Sequence, residues 1–198
     1  MAKIICFEWV HCAGKWTIIS EVSPQLIKRF WDKFRVVRDC EYPEFLDVKN
    51  RIIRKELVWK DAILKELIQV TAWIYRDHIN DILAETEVVF LDRSYYTSAV
   101  WHAEKDGSDL REITDRFLEA GIPRADKTYV FDADAEEIKK RIIKRARPGS
   151  NIEHHIKTAE LNLKKYRALV EQCCECSLMS GVRPPKEWAW IVLAEINK

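Results

Sequence analysis

Short apolar runs alternate along this chain with longer stretches of helical spacing. The runs Lys3–Phe7, Arg35–Arg38, Val88–Leu91 and Thr128–Phe131 carry few alternating polar positions. That is the pattern of strands buried on both faces of a parallel sheet. Ser177–Ser180 is a fifth, weaker candidate. Helical spacing fills the gaps, and strands alternating with helices indicate βα units. One helix begins near Lys15. Pro24 lacks a backbone donor, so the pattern predicts a break there and a fresh helix from Ser23-Pro24. Asp47–Val58, Asp61–Leu83, Glu112–Ala120, Ala135–Arg147, Glu153–Cys173 and Pro185–Ile196 read as further helices. Gly121 and Pro148-Gly149 act as stops. The expected fold is α/β, a five-stranded parallel sheet flanked by helices in three layers, as one domain over residues 1–198.

Composition narrows the class. The chain has 198 residues, 47% apolar and 33% charged, with net charge +1. It is long enough to bury a core without disulfides or a structural metal. A near-neutral balance does not suggest a nucleic-acid binder, which is usually strongly basic. The first apolar stretch, Ile4–Phe7, is too short for a signal peptide or a membrane span, and no later stretch suffices. A cytoplasmic location and no membrane partner are the expectation. The six cysteines, Cys6, Cys12, Cys40, Cys173, Cys174 and Cys176, are then expected as reduced thiols. The close set at Cys173, Cys174 and Cys176 lacks the paired ligand spacing of a zinc site.

Candidate chemistry begins where the first strand ends. Trp9-Val10-His11-Cys12-Ala13-Gly14-Lys15-Trp16-Thr17 leads from a strand into a helix through Gly-Lys, the arrangement of a phosphate-binding P-loop. Backbone N–H groups and a helix N-terminus attract phosphate there, lysine bridges terminal phosphates, and a Ser/Thr hydroxyl holds Mg²⁺. The strict pattern G-x-x-x-x-G-K-[ST] is not met. Trp9 stands at its first glycine and Trp16 at its hydroxyl residue. An indole offers one N–H and no oxygen, so Trp16 cannot ligate Mg²⁺. Thr17 offers a hydroxyl only if the helix start shifts. The plainer alternative is a βα turn whose Lys15 faces solvent.

A second constellation follows the third strand. In Val88-Val89-Phe90-Leu91-Asp92-Arg93-Ser94-Tyr95-Tyr96-Thr97-Ser98, a carboxylate at a strand end can join a Mg²⁺ shell. The guanidinium beside it can clamp a phosphate. Ligands of open parallel sheets bind beyond the strand C-termini. A third segment, Pro123-Arg124-Ala125-Asp126-Lys127-Thr128-Tyr129-Val130-Phe131-Asp132, precedes Arg141, Arg145 and Arg147. Arginines over a transferring phosphoryl group stabilise its charge. The bland alternative is a solvated basic helix face.

Taken together these segments resemble the thymidylate kinase family of P-loop nucleoside monophosphate kinases. Phe7, Glu8, Gly14, Lys15 and Thr17 match the family loop, whereas Trp9, His11, Cys12 and Trp16 depart from it. Asp92-Arg93 and Tyr96-Thr97-Ser98 match the family's second motif. Tyr166 falls where the family often carries a tyrosine. The resemblance implies ATP and Mg²⁺ as cofactors and a small nucleotide as partner. It also implies a homodimer and a lid around residues 141–153. It assigns Lys15, Asp92, Arg93 and Arg145 to catalysis. Ala13, Gly14, Lys15, Thr17, Arg141 and Arg147 would hold ATP, and Asp92 would hold Mg²⁺ directly or through water. Glu8, His11, Arg38, Trp73, Arg76, Arg93 and Tyr96 would surround the acceptor.

The expected activity is phosphoryl transfer from ATP to a deoxynucleoside monophosphate, with dTMP first. A deoxynucleoside kinase is the nearest alternative, with Glu8 as the base that a hydroxyl acceptor needs. A kinase-derived fold that binds without turnover is a third, on the evidence of Trp9 and Trp16.

Overall fold

The computed structural model describes residues 2–9, 15–38, 41–146, 151–180 and 184–197, and for Trp9, Lys15, Trp16 and Pro185 the backbone alone. In chain order, β1 (Lys3–Trp9) leads into α1 (Lys15–Phe30) and a short 3-10 turn. Next come β2 (Phe34–Val37), α2 (Pro43–Ile53) and α3 (Lys60–Ile74). A π-helical turn (Tyr75–Ile79) joins α3 to α4 (Asn80–Glu85). Then follow β3 (Val88–Asp92), α5 (Tyr95–His102), α6 (Leu110–Glu119) and β4 (Lys127–Asp132). The chain closes with α7 (Ala135–Arg145), α8 (Ile152–Gln172), β5 (Cys176–Ser180) and α9 (Pro185–Ile196).

The five strands form one parallel sheet in the order β2-β3-β1-β4-β5. All five expected strands are present, each within a residue or two of the reading from sequence. The side-chain alternation of the strands divides the core between two faces. Ile5, Phe7, Phe90, Phe131 and Met179 meet Ile19, Val22 and Leu26 of α1 and Val192 of α9. On the opposite face Ile4, Cys6, Leu91 and Val130 meet the helices between β2 and β5. The chain passes from β3 over β1 to β4. The switch therefore lies at β1, and the C-terminal ends of β1 and β3 frame the crevice where such sheets bind ligands.

Three expectations about helices are corrected. First, α1 runs unbroken through Pro24. Pro24 and Ser20 are both exposed, so the carbonyl that loses its partner faces water. Val22 and Leu26, both fully buried, hold the helix against the sheet. Burial is worth roughly 1.5–3 kcal/mol for each, against about 3 kcal/mol for an interior proline.

Second, α2 begins at Pro43 and ends at Ile53, earlier at both ends than Asp47–Val58. Pro43 occupies the first turn, where its missing N–H costs nothing. The stop is a Schellman closure, with Lys55 N donating to Ile52 O and Glu56 N to Arg51 O. Its left-handed position is filled by Lys55 (φ 59°) rather than glycine, so no glycine marked it. Third, the single helix expected over Asp61–Leu83 is interrupted by the π turn.

Candidate active site at the C-terminal edge of the sheet

Glu8, the penultimate residue of β1, is fully buried. Its side chain lies on the face that carries α5 and α8. Oε1 accepts from Ser94 N (2.7 Å) and Ser94 Oγ (2.9 Å). Oε2 accepts from Thr97 Oγ1 (2.6 Å) and Tyr166 OH (3.1 Å). Ser94 is also the N-cap of α5, its Oγ accepting from Tyr96 N at 3.2 Å. One carboxylate thus ties β1, the start of α5 and the middle of α8 together. Burial pushes the Glu8 carboxyl above its ordinary value, while Thr97, Ser94, the Arg93 charge and Tyr166 pull against that without cancelling it. Burial and the Glu8 charge raise Tyr166 well above the usual phenol range, so it stays a donor.

Asp92 lies opposite Phe7 in the β1–β3 register and is buried. Its Oδ2 accepts from Arg38 Nε at 2.8 Å. Arg38, the residue after β2, also pairs with Glu41. Arg93 turns the chain from β3 into α5 at φ 73°, a left-handed conformation that costs a non-glycine residue about 1–2 kcal/mol. Its N–H donates to Phe7 O at 3.2 Å. Non-glycine residues held in this region cluster at functional sites. A groove of about 660 Å³ runs beside β2, lined by Ser20, Ser23, Arg38, Glu41 and Tyr42 among others. That volume is within the range of small-molecule sites.

The other expected site residues are scattered. Thr17 is exposed in the first turn of α1. His11, Ala13, Gly14 and Arg147 lie outside the described residues, as do the side chains of Lys15 and Trp16. Trp73 is half-buried and meets the His78 ring edge-on at 5.1 Å; His78 stacks on Tyr42, also at 5.1 Å. Arg76 points to solvent and pairs with neighbouring Asp77 at 2.6 Å. Arg141 pairs with Glu137 of its own helix at 2.7 Å. Arg145 is exposed at the end of α7. Tyr96 turns into the interior, where its hydroxyl donates to Glu175, away from the Glu8 cluster.

Ser94 and Thr97 were missed as partners of Glu8. Their three-residue spacing after Asp92-Arg93 is that of an N-cap and the first helical turn, which was the available signal. Arg167 was missed too. It holds Asp132 at the end of β4, at 2.8 and 3.1 Å.

Among the described residues no group of three or more His, Cys, Asp or Glu side chains is arranged to hold a metal. None of their helices is long and apolar enough to cross a membrane.

No family model and no curated protein matches the sequence. Among solved structures, a thymidylate kinase from Ehrlichia chaffeensis superposes with a TM-score of 0.67 at 14% identity, covering 100% of this chain and 99% of that one. The chain shares the fold of that thymidylate kinase, a five-stranded parallel sheet flanked by helices. At that identity the likeness establishes architecture, and the chemistry rests on the residues at the sheet edge.

Proposed function

We propose that this chain is an ATP-dependent nucleotide kinase acting on a deoxynucleoside monophosphate, with dTMP as the acceptor to try first. One observation carries the reading. Asp92 pairs with Arg38 at the C-terminal edge of β3 and is followed there by Arg93, next to the strand whose loop leads into α1. Arg93 and Arg38 would grip the acceptor phosphate. The loop amides of Ala13 and Gly14, with Lys15 and Thr17, would hold the phosphates of ATP, and Arg141, Arg145 and Arg147 would cover them. Trp73, Arg76 and His11 would lie toward the base and sugar. Tyr96 is better placed as a core residue.

The donor set fits Mg²⁺, which takes one or two carboxylates and keeps several waters. Asp92 would be its ligand, in exchange with the Arg38 contact. When bound, the ion would neutralise charge between the β- and γ-phosphates. A homodimer and a cytoplasmic location belong to the same proposal.

Glu8 bears on the acceptor. A nucleoside kinase needs a base within reach of the acceptor hydroxyl. Both Glu8 oxygens are already engaged by protein donors and the residue is fully buried. This supports a phosphate acceptor, which needs no base. A binding-only protein is the second reading, and Trp16 at the position of the Mg²⁺-holding hydroxyl favours it.

The test is an ATP titration with and without Mg²⁺, beside turnover assays with dTMP and with thymidine. Slow turnover of dTMP, raised at least about tenfold by Trp16→Ser, or roughly 1.4 kcal/mol of barrier, is the expected result. Arg93→Ala should weaken dTMP binding more than ATP binding. No turnover of either acceptor by either protein, with ATP still bound, would establish the binding-only reading instead.

A further inference from the structure

A second polar cluster sits where α8 ends and β5 begins. Cys173 is the C-cap of α8 and Cys176 the first residue of β5. The reversal between them is closed by Cys176 N donating to Cys173 O at 3.0 Å. A turn closed in this way brings its first and fourth Cα atoms within about 7 Å, and disulfides span about 4.4–6.8 Å between Cα atoms. Both residues are buried. Cys6 is a poorer partner for Cys176. It lies two strands away in the register, through Thr128, which is about 10 Å at the usual strand spacing.

We propose that Cys173 and Cys176 form a redox-active dithiol that closes to an intramolecular disulfide by exchange with a low-molecular-weight disulfide. The Cys173 thiolate attacks one sulfur of the incoming disulfide, giving a mixed disulfide and releasing one thiolate. Cys176 then attacks the Cys173 sulfur, forming the internal bond and expelling the second thiolate. The two protons lost by the cysteines end on the two released thiols, so the external disulfide is reduced by two electrons and the protein oxidised by two.

The surroundings divide the roles. The neighbouring Cys176 thiol lowers the Cys173 thiol below its ordinary value, with Thr114 and the Arg124 charge helping and burial and Glu175 opposing. The same thiol pairing, together with burial, raises Cys176. Cys173 is thus the attacking sulfur and Cys176 the resolving one. The pair sits at the C-terminal end of α8, where the helix dipole disfavours a thiolate. Oxidoreductase dithiols gain reactivity from a helix N-terminus instead. The pair therefore suits slow, stoichiometric oxidation rather than disulfide catalysis. Cys174, between them, is exposed and is the control.

The experiment is independent of the kinase reading. The native protein is incubated with glutathione disulfide, free thiols are alkylated, and the peptides are mapped by mass. The expected result is a single internal bond joining Cys173 and Cys176, both protected from alkylation and both recovered on reduction. It should form equally in Cys174→Ser. Cys176→Ser should stop at a glutathione adduct on Cys173; should that variant fail to fold, the mapping of the unaltered protein still decides. Oxidation confined to Cys174, chains cross-linked through Cys174, or a pair that oxidises only in denaturant would each overturn the proposal.

Discussion

Two glutamates, Glu8 and Glu175, are buried on the same side of the sheet, and they solve the problem of a desolvated carboxylate differently. Glu8 is surrounded by neutral donors: an amide, two aliphatic hydroxyls and a phenol, with Arg93 acting only through its field. Glu175 has the Tyr96 hydroxyl, but also Arg124 at 3.3 Å to both oxygens. Burial raises both. The hydrogen bonds and the cation bring Glu175 below its ordinary value, whereas Glu8 stays above its own. Neutral hydrogen bonds satisfy the oxygens of a buried carboxylate without fully replacing the water that stabilised its charge. Glu175 is built for stability. Glu8 fixes geometry at an energetic cost, in the place where the candidate site lies.

The sharpest way to break this contrast is Glu8→Ala. It strands the donors of Ser94, Thr97 and Tyr166 in the interior, each costing about 1–3 kcal/mol, so urea unfolding should show a loss of about 3–5 kcal/mol. A loss smaller than that of Glu175→Ala would mean that the Glu8 cluster is not the tighter clamp. Arg124→Met should come next. It leaves Glu175 without its cation, but Arg124 is half exposed, so the cost should be about 2 kcal/mol rather than the 3–5 of a wholly buried pair.

The smallest effect is also the most discriminating. Glu8 has a folded value above 4.5, so its contribution is fully present below pH 4.5 and is lost as pH rises through the folded value. Glu175 has a folded value below 4.5, so its contribution is present above pH 4.5 and is lost as pH falls through that value. Between pH 4.5 and neutrality, Glu8→Gln should therefore gain on the parent as pH rises. Glu175→Gln should lose the most at neutral pH and progressively less in acid. Denaturation curves taken from below pH 4.5 up to neutrality should show the Glu8→Gln difference changing above pH 4.5 and the Glu175→Gln difference changing below it, with opposite slopes; parallel plots would erase the distinction.

Much of the fold was legible because a parallel sheet leaves an unmixed signal. Val88–Leu91 and Thr128–Phe131 have apolar neighbours on both faces, so little polar interrupts them. Asp92-Arg93 was legible for a related reason, since charge directly after such a run must lie at the strand's end. What escaped depended on facing and on cancellation. Tyr96 and Thr97 are adjacent on one helix, and only the packing of α5 against α3, α6 and α8 sends the first inward and leaves the second to Glu8. Arg76 belongs to a π turn, where the extra residue shifts the helical facing that spacing alone would assign. Pro24 was read from local cost, which the burial of Val22 and Leu26 offsets.

The left-handed turn at Arg93 has a consequence for how this chain can change over time. Glycine occupies such a conformation without strain, and asparagine occupies it more readily than most residues. The backbone at position 93 gives arginine no advantage. As long as a guanidinium is wanted at the end of β3, substitution there is held in check by use. Once that use lapses, the backbone itself favours its replacement, and the turn would be among the first places in the molecule to drift.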